Sequence, residues 1–125
     1  MTDQTRISDA EWTVMQQLWD RHPQTANELA HTLCRDRSWK PKTVKTLISR
    51  LLAKEVIGFS KNGREYLYFP RVERKACVQA ASRSFLDRVY RGAAMPMVAH
   101  LIESRALSKK DIEELRQLLE TKTKR

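Results

Sequence analysis

The stretch from Trp39 to Lys54 constrains the fold more than any other part of the chain. It begins Trp-Lys-Pro-Lys-Thr, and a proline in the first turn of a helix removes an N–H that has no intrahelical partner. The apolar residues that follow recur at helical spacing, so one face can pack against a core. The opposite face carries lysines, hydroxyl side chains and an arginine, and no acidic residue occurs between Lys40 and Lys54.

Such a face suits contact with phosphates and with the edges of bases. The alternative for an isolated basic helix is a solvated surface, which more usually mixes glutamates with lysines. The segments on either side of this helix distinguish the two interpretations.

Two capping boxes precede the basic helix. Ser8-Asp-Ala-Glu11 and Thr25-Ala-Asn-Glu28 each place a glutamate three residues after a hydroxyl, which predicts two helix starts. The first helix is predicted to end at His22-Pro23. Helix, turn, short capped helix, basic loop and basic helix follow one another in the order of a helix-turn-helix, whose second helix enters the major groove.

A β-hairpin is predicted directly after the basic helix. Residues 57–69 form two runs rich in aromatic and branched residues around Asn62-Gly63, which favours a type I′ turn because both central residues need positive φ. Pro70 is expected to end the second strand. Lys61 and Arg64 lie near the tip, so the hairpin is interpreted as the wing of a winged helix; a plain structural ribbon is the alternative.

The second half of the chain changes character. Three amphipathic helical patterns, beginning near residues 73, 96 and 108, are too little for a good core of their own. They either pack on the first half or bury their apolar stripes against a second copy, and we favour a homodimer. The predicted domains are residues 1–71 and 72–125. The predicted dimerisation residues are Phe85, Leu86, Val89, Tyr90, Val98, Leu101, Ile102, Ile112, Leu115, Leu118 and Leu119.

Positive charge is concentrated in one third of the chain. The net charge is +9, and residues 35–71 alone carry +7 of it. This predicts a polyanionic partner that contacts that segment. No apolar run approaches the ~20 residues that span a membrane, and the start is polar, so we predict a cytoplasmic protein without membrane insertion.

The sequence gives no reason to predict an enzyme. There is no glycine-rich phosphate loop, no His/Cys/Asp cluster and no pair of carboxylates on one helix face. Cys34 and Cys77 are isolated and lack a histidine at ligand spacing, which predicts free thiols. We therefore expect no catalytic residue, no cofactor and no metal.

Nearly the whole chain resembles the penicillinase and methicillin-resistance repressors of the BlaI/MecI type, whose wider group includes copper-responsive operon repressors. The Trp-x-Pro-Lys-Thr core is fairly specific for them. The matching stretches are Ile7-Ser-Asp-Ala-Glu-Trp12, Thr25-Ala-Asn-Glu28, residues 39–52, Gly63-Arg-Glu-Tyr-Leu-Tyr68, residues 85–92 and residues 107–115.

The resemblance implies a mainly α fold with a small β wing, that is, a winged helix-turn-helix followed by a three-helix dimerisation domain. It also implies repression by occupying palindromic double-stranded operators. In such systems a membrane sensor-protease, responding to β-lactams or other envelope stress, leads to cleavage of the repressor inside its dimerisation domain.

Two features depart from the family pattern. Copper-responsive members carry paired Cys-x-Cys motifs near the C-terminus, and this chain has none. In the β-lactam-responsive members that this chain resembles, the bond that is cleaved joins an Asn to a Phe. The matching positions here are His100-Leu101. The candidate cleavage site therefore implies either a protease of different specificity or another signal.

The leading hypothesis is a dimeric, sequence-specific repressor. The predicted base-edge contacts lie at the start of the basic helix and are Lys42, Thr43 and Thr46. The predicted phosphate contacts are Lys40, Lys45, Ser49, Arg50, Lys54, Lys61 and Arg64. The alternative is a winged-helix adaptor that binds another protein and has no sequence-specific affinity for DNA.

Overall fold

The structure is a computed structural model that describes residues 6–123 of the chain. Within that range it contains six helices and one antiparallel hairpin, in the predicted order. The elements are α1 (Asp9–Asp20), α2 (Ala26–Arg37), α3 (Pro41–Ala53), β1 (Ile57–Asn62), β2 (Glu65–Pro70), α4 (Arg74–Tyr90), α5 (Ala94–Glu103) and α6 (Lys109–Thr123). The predicted mainly α fold with a small β hairpin is confirmed.

Both predicted capping boxes are present at the starts of α1 and α2. The Ser8 hydroxyl accepts the Glu11 N–H at 3.2 Å, and the Glu11 carboxylate accepts the Ser8 N–H at 2.8 Å. Thr25 and Glu28 repeat the arrangement at 3.1 and 2.9 Å. Each box gives partners to two N–H groups that a helix start leaves unsatisfied, so these boundaries are set locally.

The hydrophobic core lies between α1, α2, α3 and the base of the hairpin. Each helix buries residues that are three or four positions apart, so one face of each is apolar. Trp39 packs against this core from the loop before α3. The buried hydrophobic residues are Val14, Met15, Leu18, Leu29, Ala30, Leu33, Val44, Leu47, Ile48, Leu51, Val56, Ile57 and Tyr68. All of them lie between residues 14 and 68, in the first of the chain's two compact units.

The hairpin is confirmed, but its predicted turn is wrong. Asn62 pairs with Glu65, so the two loop residues are Gly63 and Arg64 rather than Asn62 and Gly63. Gly63 has φ +68°, whereas neither Asn62 nor Arg64 has positive φ. Positive φ at the first central position alone is the pattern of a type II′ turn, in which glycine is favoured at that position.

A short extended segment between α1 and α2 extends the hairpin. Gln24 and Tyr68 exchange two backbone hydrogen bonds of 3.0 and 2.8 Å. The buried Gln24 amide also donates to the carbonyls of Gln17 and Arg21 at 3.1 and 2.7 Å. This glutamine therefore joins the end of α1 to the wing, a link between segments that no local sequence pattern predicts.

The chain divides into two compact units, the first ending at Cys77 and the second beginning at Val78. The assignment of separate roles to residues 1–71 and 72–125 stays a prediction. In the second unit Pro96 lies in the first turn of α5, two residues after the helix start, and a Ser108–Asp111 box caps α6 with two 3.0 Å hydrogen bonds. None of the described residues of α4, α5 and α6 is buried.

Candidate nucleic-acid interface

The faces of α3 differ sharply in burial and in chemistry. Its inner face consists of Val44, Leu47, Ile48 and Leu51, each less than 5% exposed. The opposite face is solvent-exposed and carries three cations and three hydroxyls. Its residues are Lys42, Thr43, Lys45, Thr46, Ser49 and Arg50. The core thus fixes the rotation of α3 so that the whole basic face points outward.

The start of α3 has no side-chain cap. Lys40 is the N-cap residue and makes no side-chain capping hydrogen bond, while its carbonyl accepts the N–H groups of Thr43 and Val44. Pro41 occupies the first helical position. The positive end of the helix dipole is therefore exposed beside Lys40 and Lys42, which favours anions there.

Thr46 makes a hydrogen bond within its own helix. Its hydroxyl donates to the carbonyl of Lys42 at 3.0 Å. The hydroxyl proton of Thr46 is thus already donated to a backbone carbonyl, whereas the hydroxyl oxygen can still accept a hydrogen bond. A base contact by Thr46 would thus use that oxygen as acceptor, or the methyl group against a thymine methyl.

Lys54, a predicted phosphate contact, already has partners within the chain. Its ammonium forms an ion pair with the carboxylate of Glu11 and donates to the carbonyl of Arg6 at 2.7 Å. Glu11 is 1% exposed, so this ammonium neutralises a buried charge. We therefore remove Lys54 from the set of proposed phosphate contacts, because breaking a buried ion pair is strongly unfavourable.

The pKa of Glu11 reflects this environment. Burial alone raises the pKa of a carboxyl group, but the hydrogen bonds from Lys54 and from the Ser8 N–H and the Lys54 charge outweigh it. The pKa is lowered from its ordinary value of 4.5. Glu11 is therefore ionised at neutral pH and holds the end of α3 against the start of α1.

The wing presents a cation, Lys61, and aromatic rings on one face. Lys61 and Arg64 are exposed, as predicted, and the Lys61 ammonium lies 5.8 Å from the centre of the Tyr66 ring. Phe59 contacts Tyr66 edge to face, with ring centres 4.8 Å apart, and these rings are 51% and 43% exposed. Such exposed aromatic surface beside a cation is available to a ligand.

Phe59 and Tyr66 were assigned no functional role from the sequence. The signal that places them beside Lys61 is the cross-strand register, in which Lys61 faces Tyr66 and Phe59 faces Tyr68. The alternation of side chains along a strand puts all four on one face. That register becomes known only once the turn position is known.

The predicted dimerisation residues are not covered in the structure. Many of them are large hydrophobic side chains that are at least 39% exposed, and none of them is buried. The most exposed are Phe85, Val89, Leu101, Ile102, Ile112, Leu118 and Leu119. Leu86, Tyr90, Val98 and Leu115 are half-buried. Many large apolar side chains are therefore exposed on three successive helices of a single chain.

The described part of the chain shows neither a metal cluster nor a membrane span. Residues 6–123 contain no group of three or more His, Cys, Asp and Glu side chains that could hold an ion. Over the same range no helix has the length and apolar character to cross a bilayer. Burial raises the pKa of the Cys77 thiol, so it is protonated at neutral pH.

Comparison with known proteins gives consistent similarity over most of the chain. A family model described as penicillinase repressor matches residues 7–121. The penicillinase repressor of Bacillus licheniformis is 36% identical over 115 residues, which are 92% of this chain and 90% of the relative. The methicillin resistance regulatory protein MecI of Staphylococcus aureus N315 is 35% identical over 116 residues, 93% and 94% of the two chains.

A solved structure is similar over more than half of the chain. It is the Bacillus licheniformis BlaI monomer in complex with the blaP half-operator, studied in solution. It is 34% identical, has a TM-score of 0.51, and the match covers 56% of this chain and 85% of that chain.

Proposed function

This chain belongs to the penicillinase repressor family, and we propose that it is a dimeric repressor of transcription that binds palindromic operator DNA. The family is one of repressors and not of enzymes. The observation that carries the proposal is the division of α3 into a buried apolar face and an exposed face of cations and hydroxyls. The similar BlaI structure contains a half-operator, which supports DNA as the ligand.

In this proposal α3 enters the major groove with its N-terminal half against base edges. Lys42, Thr43 and Thr46 contact bases, since they lie in the first two turns of the exposed face. The remaining exposed cations and hydroxyls contact the sugar–phosphate backbone and set the register. These residues are Lys40, Lys45, Ser49 and Arg50 on α3, and Lys61 and Arg64 on the wing.

The second unit supplies the dimer interface. Its apolar residues are exposed in a single chain, and burying them against a second copy removes that surface from water. A two-fold axis then presents two copies of α3 to two half-sites of a palindrome. Tethering two weak half-site interactions raises the affinity by ~10²–10⁴ through effective concentration alone.

Derepression is proposed to follow cleavage in α5 between His100 and Leu101. Both residues are exposed, and the bond lies in the middle of the second unit. Cleavage separates Leu101, Ile102 and all of α6 from the DNA-binding unit. The proposed source of the signal is a membrane sensor-protease that responds to β-lactam or other envelope stress. The names of the relatives, a penicillinase repressor and a methicillin resistance regulator, support only the link to β-lactams.

Titration of duplex DNA against salt tests the central proposal. If each subunit neutralises ~3–5 phosphates, the slope of log K against log salt concentration is about −5 to −9. A control duplex of random sequence measures the nonspecific part. A slope near zero, together with equal affinity for the operator duplex and the random-sequence duplex, would refute sequence-specific DNA recognition. That result would favour the protein-binding adaptor.

A further inference from the structure

The segment between the wing and α4 is attached to α1 at two points, both inside the first unit. The indole Nε1 of Trp19 donates a 3.1 Å hydrogen bond to the carbonyl of Val72. The carboxylate of Asp20 lies 3.5 Å from the guanidinium of Arg74, the first residue of α4. The chain is thus fixed on the first unit just before α4 begins.

The two attachments differ in strength. Trp19 and Val72 are half-buried and pack against the hydrophobic core, so their hydrogen bond is partly shielded from water. Asp20 and Arg74 are both more than half exposed, and ion pairs of that kind are weak and screened by salt. Trp19 is therefore the main attachment.

The chain passes from the first unit to the second within a helix. α4 is continuous from Arg74 to Tyr90, and the division falls between Cys77 and Val78. Residues 71–78 contain neither glycine nor proline. A helix has a fixed rise of about 1.5 Å per residue, whereas a Gly/Ser linker samples a broad range of lengths. The connection is therefore stiff along its own axis.

We propose that Trp19 is a positioning residue that fixes the start of α4 and so makes the repressor selective for the distance between two operator half-sites. The inference rests on the proposed function, because such a distance matters only to a dimer that reads two half-sites. A stiff tether gives a high effective concentration at one spacing, and a flexible tether distributes it over many. Each added base pair moves a half-site by about 3.4 Å and rotates it by about 35°.

The test compares spacing profiles. The wild-type protein first selects an inverted repeat from a pool of random duplexes, and the repeat is then rebuilt with one to three base pairs added or removed. Trp19→Phe removes the N–H donor and keeps an aromatic ring. Trp12→Phe is the matched control, since its ring lies 5.5 Å from that of Trp19 on the same helix.

We expect the wild-type protein to lose ~10–100-fold in affinity on re-spacing, part of its bivalent gain. Trp19→Phe should bind the duplex with the selected spacing several-fold more weakly than the wild-type protein does. Its fold-loss in affinity on re-spacing should be at least three times smaller than that of the wild-type protein. Its affinity for a single half-site and its dimer dissociation constant should not change. Trp12→Phe should reproduce the wild-type profile.

The proposal would be overturned if Trp19→Phe showed the same dependence of affinity on spacing as the wild-type protein. It would also be overturned if Trp12→Phe lost the dependence on spacing to the same extent as Trp19→Phe. If circular dichroism shows that Trp19→Phe is unfolded, an insertion of Gly-Ser-Gly-Ser between Val72 and Glu73 replaces it. That variant keeps the Trp19 contact but makes the tether flexible, and an unchanged profile would again overturn the proposal.

The proposed function can fail separately. A wild-type protein that selects no inverted repeat contradicts operator binding itself. One that selects a repeat and then tolerates every spacing leaves operator binding intact and refutes only the role of Trp19.

Discussion

The Lys54 ammonium is paired with the carboxylate of Glu11, across 43 residues of sequence. Glu11 lies in the first turn of α1, and Lys54 is the C-cap residue of α3. The pair therefore holds the end of the proposed reading helix against the helix that supports it. It gives Lys54 a positioning role where the basic composition of α3 had predicted a phosphate contact.

Replacing Lys54 by methionine should reduce stability rather than electrostatic DNA binding. Loss of one partner leaves Glu11 buried and unpaired, which costs ~3–5 kcal/mol for a fully buried pair; Lys54 is one quarter exposed, so about 2–3 kcal/mol is expected here. Urea unfolding measures this change. The salt slope of the folded variant should equal that of the wild-type protein.

Arg50→Ala is the matched comparison for Lys54→Met. Arg50 is exposed and lies on the outer face of α3, so its loss should leave the free energy of unfolding within ~0.5 kcal/mol of wild type. Binding to all duplexes should weaken alike, and the magnitude of the salt slope should fall by about 2, because the dimer loses one phosphate contact from each of its two subunits. If Lys54→Met lowers the slope as much as Arg50→Ala does, the ion pair opens on DNA and Lys54 contacts a phosphate.

Stability should fall in acid as Glu11 becomes protonated. Its pKa is lowered in the folded protein, so its contribution is fully present above the ordinary value of 4.5 and is lost as the pH falls through the folded value. Urea midpoints measured between pH 7 and pH 3 should decrease mainly below pH 4.5.

Glu11→Gln provides the control for that pH dependence. The variant should be less stable than wild type at pH 7, and the two should converge in acid. A residual dependence is expected from Glu28, whose pKa is lowered by hydrogen bonds from Thr25, chiefly from its backbone N–H. Equal pH dependence in Glu11→Gln and wild type would show that Glu11 contributes nothing.

Lys42→Ala should relax base preference at one position of the operator. Lys42 is exposed near the uncapped start of α3, and a good base contact discriminates by ~1–3 kcal/mol against the wrong base. Affinities for a panel of single-base operator variants measure this. Lys45 lies about one turn further along α3 and is a proposed phosphate contact, so Lys45→Ala should weaken binding to all operator variants equally. The same uniform loss of affinity in Lys42→Ala would mean that Lys42 contacts a phosphate rather than a base.

A fragment ending at His100 should keep the winged helix and lose the dimer. The core lies wholly in the first unit, whereas the fragment lacks Leu101, Ile102 and α6. Each leucine-sized side chain lost from an interface costs ~1.5–3 kcal/mol, so losing several should abolish association at micromolar concentration.

Sedimentation and DNA binding of residues 1–100 check that expectation. The full chain with Leu101→Ala, which removes a single side chain of the proposed interface, is the intermediate case. A fragment that remains dimeric at micromolar concentration, and binds the operator as tightly as the full chain, would place the interface outside residues 101–125.

Features that depend on near neighbours in the chain are predictable from the sequence. The Ser8–Glu11, Thr25–Glu28 and Ser108–Asp111 boxes join residues three apart, and the apolar face of α3 repeats every three or four residues. Such patterns act within one or two helical turns, so they are readable without a fold. The exposed basic face of α3 follows from the same periodicity.

Features that depend on distant segments emerge from the packing of the elements against one another. The partner of Lys54 lies on another helix, the indole of Trp19 bonds to a carbonyl 53 positions away, and the apolar side chains of α4, α5 and α6 remain uncovered. The hairpin loop consists of Gly63 and Arg64 because pairing along both strands places Asn62 opposite Glu65. Register, ion-pair partners and burial depend on packing between elements, and no local sequence pattern records which elements meet.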